Sequence, residues 1–270
     1  MKRLKWKEIH EMSWCPEFFR DCLTEFLSII WKMGVYEQAQ DKMGAVIQKT
    51  GVRLIVDLCS GAGEYIPLFM KKLTQQFPDL KAYKTDLYPN KIYFESDHPA
   101  VSYWQEPLAA NDAITRFDAL FTMFSALHHF DEEELAEIFE TAASHRKVIS
   151  FFDVSQRRWF RDILPNIFLP PMMWIATLFS KSFSWKHLLF IYLLPIAPLI
   201  VFIDGTISRM RAYKISEIET ILAPLREKYP DYYFETGAYT LLHGMQKITF
   251  ILGYPAEFEQ NTQQDTTKTQ

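Results

Sequence analysis

The run Ile55-Val56-Asp57-Leu58-Cys59-Ser60-Gly61-Ala62-Gly63 constrains the fold more than any other stretch of the chain. Its β-branched start reads as a buried parallel strand, which stops in a Ser-Gly-Ala-Gly turn and gives way to a helical pattern from Glu64 to Leu73. Gly61 and Gly63 permit positive φ and, lacking Cβ, let a flat ligand reach the main chain. Asp57, at the end of the strand, puts an acceptor beside that loop, where open α/β sheets take their ligands.

A dinucleotide-binding loop would read Gly-x-Gly-x-x-Gly and seat a pyrophosphate on the helix N-terminus. Here Ile66 stands at the third glycine position, and Glu64 opens the helix with a charge that repels phosphate. A ligand without phosphates fits better. The run resembles motif I of the class I S-adenosylmethionine (SAM) dependent methyltransferases, in which an acid precedes a Gly-x-Gly-x-Gly loop; Cys59 stands where the first glycine would be. The resemblance implies a Rossmann-like α/β fold, a seven-stranded sheet with helices on both faces and an antiparallel last strand. It also implies SAM as cofactor, with Asp57, Cys59, Gly61 and Gly63 around its methionine part.

Later segments extend the likeness. Lys81 to Asp86 is a short strand ending in an acid, roughly 20 residues past the loop, where Rossmann-like sites bind a ribose diol. Asp86-Leu87-Tyr88-Pro89 resembles the Asp-x-Ser-Pro turn of many methyltransferases and brings Leu87 to the cofactor. After a third strand, Val101 to Trp104, the family often carries an acid or amide that meets the adenine amino group. Glu106 or Gln105 is the candidate, with Asn111 and Asp112 as rival polar groups. Phe117 to Phe124 is a buried strand followed by Leu127-His128-His129-Phe130, which resembles the strand 4 segment of small-molecule and lipid-quinone methyltransferases. That segment leaves the sheet near the methyl donor, so Phe124 is expected against the cofactor and His128 or His129 is a candidate general base. The structural alternative has one histidine capping the helix that opens at Asp131 and the other packed on Phe130.

After a fifth strand, Lys147 to Phe152, two apolar runs, Ile163 to Phe179 and Leu188 to Ile203, form an insertion at about 157–204. Each is near the lower limit for a spanning helix and carries prolines (Pro165, Pro170, Pro171; Pro195, Pro198), so spanning is not expected. Arg157, Arg158, Arg161, Lys181 and Lys186 mark its margins. Two roles fit: a hairpin resting in a membrane interface, or a helical lid over the site. Arg209, Arg211 and Tyr213 follow it and are candidates for holding a substrate carboxylate or phosphate; the arginines could equally pair with Asp204 or with lipid headgroups. Ser216 and Glu219 form a capping-box pattern, and two further strands close the domain. The expected division is a helical extension over 1–50, a methyltransferase domain over 51–256, and a disordered polar tail over 257–270.

The net charge of −4 argues against a nucleic-acid partner, which needs a basic face. Cys15, Cys22 and Cys59 show no metal-ligand spacing, and no metal is expected. The basic start (Lys2, Arg3, Lys5, Lys7) runs into no apolar signal region. A cytoplasmic location is expected, or a peripheral seat on the inner face of the membrane. That start, with Leu4, Trp6 and Ile9, reads either as a lipid-headgroup contact or as a frayed terminus. Aromatic residues reach 16%, with 22 phenylalanines, which calls for a large aromatic core or a hydrophobic partner. The expected function is methyl transfer from SAM to a small, hydrophobic or lipid-like acceptor. The rivals are a non-catalytic membrane-associated scaffold and a nucleotide-dependent oxidoreductase.

Overall fold

The computed structural model describes residues 3–32, 34–90, 94–155, 164–180, 183–241 and 246–259. Two helices come first, α1 (Glu17–Trp31) and α2 (Glu37–Thr50). Pro16, which has no N–H to leave unpaired, precedes α1, and Gly51 ends α2 at φ 72°. Then follow β1 (Leu54–Leu58), α3 (Tyr65–Gln76), β2 (Lys81–Lys84), β3 (Val101–Tyr103), α4 (Ala110–Arg116), β4 (Leu120–Phe124), α5 (Glu132–Ser144) and β5 (Val148–Ser155). Beyond the insertion lie α6 (Leu169–Thr177), α7 (Ile196–Arg211), α8 (Ile215–Lys228), β6 (Tyr232–Leu241) and β7 (Gln246–Pro255).

The strands form one seven-stranded sheet in the order β3-β2-β1-β4-β5-β7-β6, with β7 antiparallel to both neighbours. This is the seven-stranded mixed sheet expected from the sequence, reached through short strands buried on both faces. One face is buried by α4, α5 and α8 through Ile114, Leu135, Phe139, Ile218 and Leu222. The other is covered by α2 and α3, with Met43, Ile47, Ile66 and Met70 against Ile55, Leu120 and Phe152. Residues of α2 therefore belong to the core of the sheet. A third core joins α1 to α6 and α7 through Cys22, Phe26, Met173 and Val201.

In the insertion the prolines begin helices rather than break them: Pro170 and Pro171 sit in the first turn of α6, and Pro195 and Pro198 at the start of α7. Between these helices, Trp185–His187 runs into a π-wound stretch, Leu188–Leu193, which is bent 65° from α7. No single described helix is long and apolar enough to cross a membrane. Arg157, Arg158, Arg161 and Lys181 fall outside the described residues, as does the tail from 260. The tail was expected to begin at 257, yet 257–259 make a helical turn in which Glu259 accepts hydrogen bonds from Tyr254 Oη, at 2.6 Å, and from Lys49. Helix α8 starts at Ile215, one residue before the predicted Ser216 cap. There the Lys214 N–H donates to Glu217 at 2.9 Å, and Glu219 pairs instead with Arg226 and Thr236.

Residues 3–11 were read from sequence as a headgroup contact or a frayed end. They form a strap docked on α7: Leu4 N–H donates to Met210 O at 3.0 Å, and both Asp204 oxygens accept from the backbone N–H groups of Ile9 and His10.

Candidate functional site

The chain runs from β1 to β2 and β3 on one side and returns to β4 on the other, so the β1–β4 junction is the topological switch point of the sheet. Four left-handed residues gather at the carboxyl ends of these two strands: Cys59 (φ 51°), Gly61 (φ 53°), Gly63 (φ 53°) and Ser125 (φ 50°). For Cys59 and Ser125 that conformation costs about 1–2 kcal/mol each. Such strain concentrates at ligand sites. Cys59 thus adopts a backbone that glycine would supply freely. Burial and the neighbouring carboxylates of Asp86 and Asp57 push its thiol well above the ordinary range, so it carries no thiolate chemistry.

The two loop glycines have different tasks. A Cβ on Gly61 would meet no atom within 4 Å, so this backbone is open to a ligand. A Cβ on Gly63 would lie 2.4 Å from Ser60 Oγ and 2.6 Å from Lys84 Cδ. Lys84, buried at the end of β2, runs beneath the loop and donates to Ala62 O at 3.1 Å. Tyr103, from β3, donates to Gly61 O at 3.2 Å. Sequence patterns did not single out either residue. The register that pairs Lys84 with Asp57 is the signal that finds the first, and β3 pairing with β2 the second.

Asp57 supports the loop from below. Its fully buried carboxylate accepts from Ser60 Oγ, from Tyr65 Oη at 3.1 Å and from Thr122 Oγ1 at 2.7 Å. Burial pushes its carboxyl up to about 7, against the pull of those hydroxyls and of Lys84. A carboxyl raised in this way stabilises the fold fully below its unfolded pKa of about 4, and the contribution is lost as pH rises through the folded value. Stability is therefore expected to decline between about pH 4 and 7, by on the order of a few kcal/mol. Asp57→Asn is expected to flatten that limb. Denaturant midpoints measured across pH test this, and an unchanged limb would show that Asp57 is not its source.

Asp86 stands at the rim. Its Oδ2 accepts from Gly61 N–H and its Oδ1 from Tyr88 N–H, both at 2.8 Å, while burial raises its pKa. Leu87 is exposed beside it. Gln105 and Glu106 are exposed in the turn after β3, close to Asp86 because Leu108 N–H donates to Asp86 O at 2.9 Å. The described contacts of Asn111 and Asp112 place neither at this rim. Ile66 is fully buried, and Glu64 pairs with Lys32, the C-cap of α1, at 2.7 Å. The Glu64 charge is therefore partly compensated, which the sequence did not show.

Phe124 is the last residue of β4. Its ring is buried among Tyr36, Tyr65, Phe69 and Phe152, stacked on Phe152 at 5.2 Å, and so belongs to the core.

Both histidines occupy a 3-10 turn after β4, and neither caps α5, whose N-cap is Asp131. His128 Nδ1 lies 2.9 Å from Asp153 Oδ2, and its Nε2 faces Glu8 Oε1 at 3.6 Å. Burial opposes its charge, yet Asp153 and Glu8 raise it to about 10. His128 is thus held within the protein by Asp153, with Glu8 facing its other ring nitrogen. His129 Nδ1 lies 2.5 Å from Glu11 Oε1, and burial with the His128 charge lowers its pKa. The candidates for substrate binding are also engaged internally. Arg211 donates to Glu11 Oε2 at 2.7 Å and to His129 O at 3.0 Å. Tyr213 donates to Phe130 O at 3.0 Å, beneath the Arg3 guanidinium at 4.1 Å. Arg209 donates to Asn166 Oδ1 at 2.7 Å. Arg211 and Tyr213 are buried and brace the strap.

No protein-family model matches the sequence, and no curated protein matches it. Among solved structures, the chain is similar to an O-methyltransferase family protein from Burkholderia thailandensis, at 12% identity and a TM-score of 0.44, covering 82% of this chain and 56% of that one. It is similar to the plantazolicin methyltransferase in complex with SAH, at 11% identity and a TM-score of 0.48, covering 88% of each chain. Human N-acetylserotonin methyltransferase in complex with SAM aligns at 12% identity and a TM-score of 0.46, over 88% of this chain and 56% of that one. The chain spans little more than half the length of the first and third of these.

Proposed function

We propose that this chain transfers the methyl group of SAM to a hydrophobic, lipid-like acceptor met at a bilayer surface. The observation that carries the cofactor assignment is the pairing of the bare Gly61 backbone with the Asp86 carboxylate at the switch point. A carboxylate accepts about four hydrogen bonds. Gly61 and Tyr88 N–H take two of those positions, which leaves others for the hydroxyls of a ribose. In this arrangement Gly61, Cys59, Asp86 and Leu87 meet the cofactor, and Gln105 or Glu106 the adenine. Asp57, Gly63 and Lys84 hold the loop in shape. The sulfonium is already activated, so the protein needs to align acceptor, methyl and sulfur and exclude water. Calorimetry with SAM and with NAD decides between cofactors: tight NAD binding without SAM binding overturns the assignment. Transfer of labelled methyl from SAM into a lipid extract tests the acceptor class, and SAM binding with no labelled product favours the scaffold alternative.

The apolar insertion supports the bilayer setting. Of the 21 exposed large hydrophobic residues among the described ones, 15 lie between Leu164 and Leu199. They include Trp174, Phe179, Phe183, Trp185 and Leu193, aromatic and aliphatic groups of the kind that seat a helix in the headgroup region. A patch this concentrated exceeds the scattered apolar exposure normal for a surface. The expected result is flotation of the wild-type protein with anionic liposomes. The double variant Phe179→Asp, Leu193→Asp is expected to weaken that partition by roughly a hundredfold or more, since each side chain seated in lipid contributes about 1.5–3 kcal/mol. Its melting temperature should stay unchanged, because both residues are exposed. A wild-type protein that remains in the aqueous fraction at low salt rejects the bilayer setting.

A further inference from the structure

We infer that Glu8, His128 and His129 form a binding site for a divalent first-row metal ion, with Zn2+ as the natural probe. Each of the three offers a ligand atom, and these atoms lie within 4.8 Å of one another. The Glu8 carboxylate is buried, and its Oε1 has no hydrogen-bond partner among the described residues. Such an atom calls for an explanation. It stands 3.6 Å from His128 Nε2, too far for a hydrogen bond. The separation is close to the ~3.4 Å edge of a tetrahedron whose ligands sit about 2.1 Å from the ion.

Each imidazole has an acid at one ring nitrogen, a feature metal-binding histidines share. Histidines that bind a metal usually donate the other ring N–H to a carboxylate, which fixes the ring and raises its basicity. His128 has Asp153 at its Nδ1, and His129 has Glu11 at its Nδ1. Two imidazoles and one carboxylate, each imidazole backed by an acid, make a donor set suited to Zn2+ or a similar ion. The charge around them agrees. Glu8, Glu11, Asp153 and Asp204 bring four carboxylates, while Arg211, 3.6 Å from Glu8 Oε1, is already held by Glu11 at 2.7 Å. The Arg3 guanidinium donates to the carbonyls of His128, Phe130 and Arg211. A dication between Glu8 and the histidines offsets this excess. Glu8, His10 and Asp204 form a second such group. There the Asp204 oxygens are already taken by Ile9 and His10 N–H, so the first group is the better site. Sequence spacing gave no sign of it because the partners come from opposite parts of the chain: His129 and Glu11 are 118 residues apart. Bound there, the ion would tie the strap to the turn that follows β4.

Full-length protein stripped with EDTA and titrated with Zn2+ by calorimetry tests the site. The expected result is one ion per chain with a rise in melting temperature, and, with Co2+ as the probe, visible d–d absorption of a nitrogen and oxygen site. Glu8→Gln is expected to abolish both signals. His129→Gln, at a partly exposed position, with folding checked by its circular dichroism, is expected to weaken affinity by more than the roughly 10–100-fold that losing an outer-shell partner causes. No stoichiometric Zn2+ binding by the wild type overturns the site, as does undiminished binding by His129→Gln. Either result makes the cluster a network balanced by protons.

Discussion

Gly63→Ala is expected to destabilise the protein by about 2–5 kcal/mol, and Gly61→Ala by only about 1–2 kcal/mol, although both glycines have the same left-handed backbone. The difference lies beneath the loop. The added methyl at 63 enters the van der Waals shells of Ser60 Oγ and the Lys84 stem, so the buried lysine must move or the loop must rise. The methyl at 61 enters open space and carries only the conformational term. Thermal melts should separate the two by several degrees, given about 2–4 °C per kcal/mol for a chain near this size. Affinity for SAM is expected to behave differently. Gly61→Ala places its methyl on the face offered to the ligand, and a loss of tenfold or more is expected while the fold stays nearly intact. Wild-type SAM affinity in Gly61→Ala would show that the ligand does not rest on this loop.

The second large effect is at Asp86. If its carboxylate holds the ribose, Asp86→Ala removes one or two charge-assisted hydrogen bonds, worth about 1.5–3 kcal/mol each. That corresponds to roughly a 10- to 100-fold or greater weakening of SAM binding. The same oxygens accept from Gly61 and Tyr88 N–H, so alanine also loosens the loop. Asp86→Asn separates the two contributions, because its amide oxygen still accepts from Gly61 while the charge is lost. The expected order of affinity is wild type, then asparagine, then alanine. Calorimetry that finds all three equal would remove Asp86 from the cofactor site.

The sheet was legible because its signals are local. β-branched runs, the glycine turn and the acids opening α5 each act over a few residues, and the structure places each of them as strand, loop and cap. The loop's position at the switch point followed from the same pattern. What stayed hidden depends on partners far along the chain. Lys84 looked like a polar residue on a short strand, and only the pairing of β2 with β1 sends it under the glycine loop. Arg211 and Tyr213 looked free to take a substrate anion, but the strap that occupies them comes from the other end of the sequence. His128 looked like a base near neutrality, but its ring is held by Asp153 and faces Glu8, which no spacing rule links to it. Phe124 was placed by analogy at the ligand face, and the unusual phenylalanine content instead builds the aromatic cluster that takes its ring.

The strap has a consequence for how the chain is made. Leu4 and Arg3 bond to Met210 and Arg211, so the strap has no docking place until the end of α7 has been synthesised. At translation rates of about 5–20 residues per second, that interval is roughly 10–40 seconds. During it the acids Glu8 and Glu11 and the histidines after β4 are apart. The switch-point loop, made of β1, α3 and β2, can form well before then, and the Glu8–His128 junction closes only after the apolar insertion has emerged.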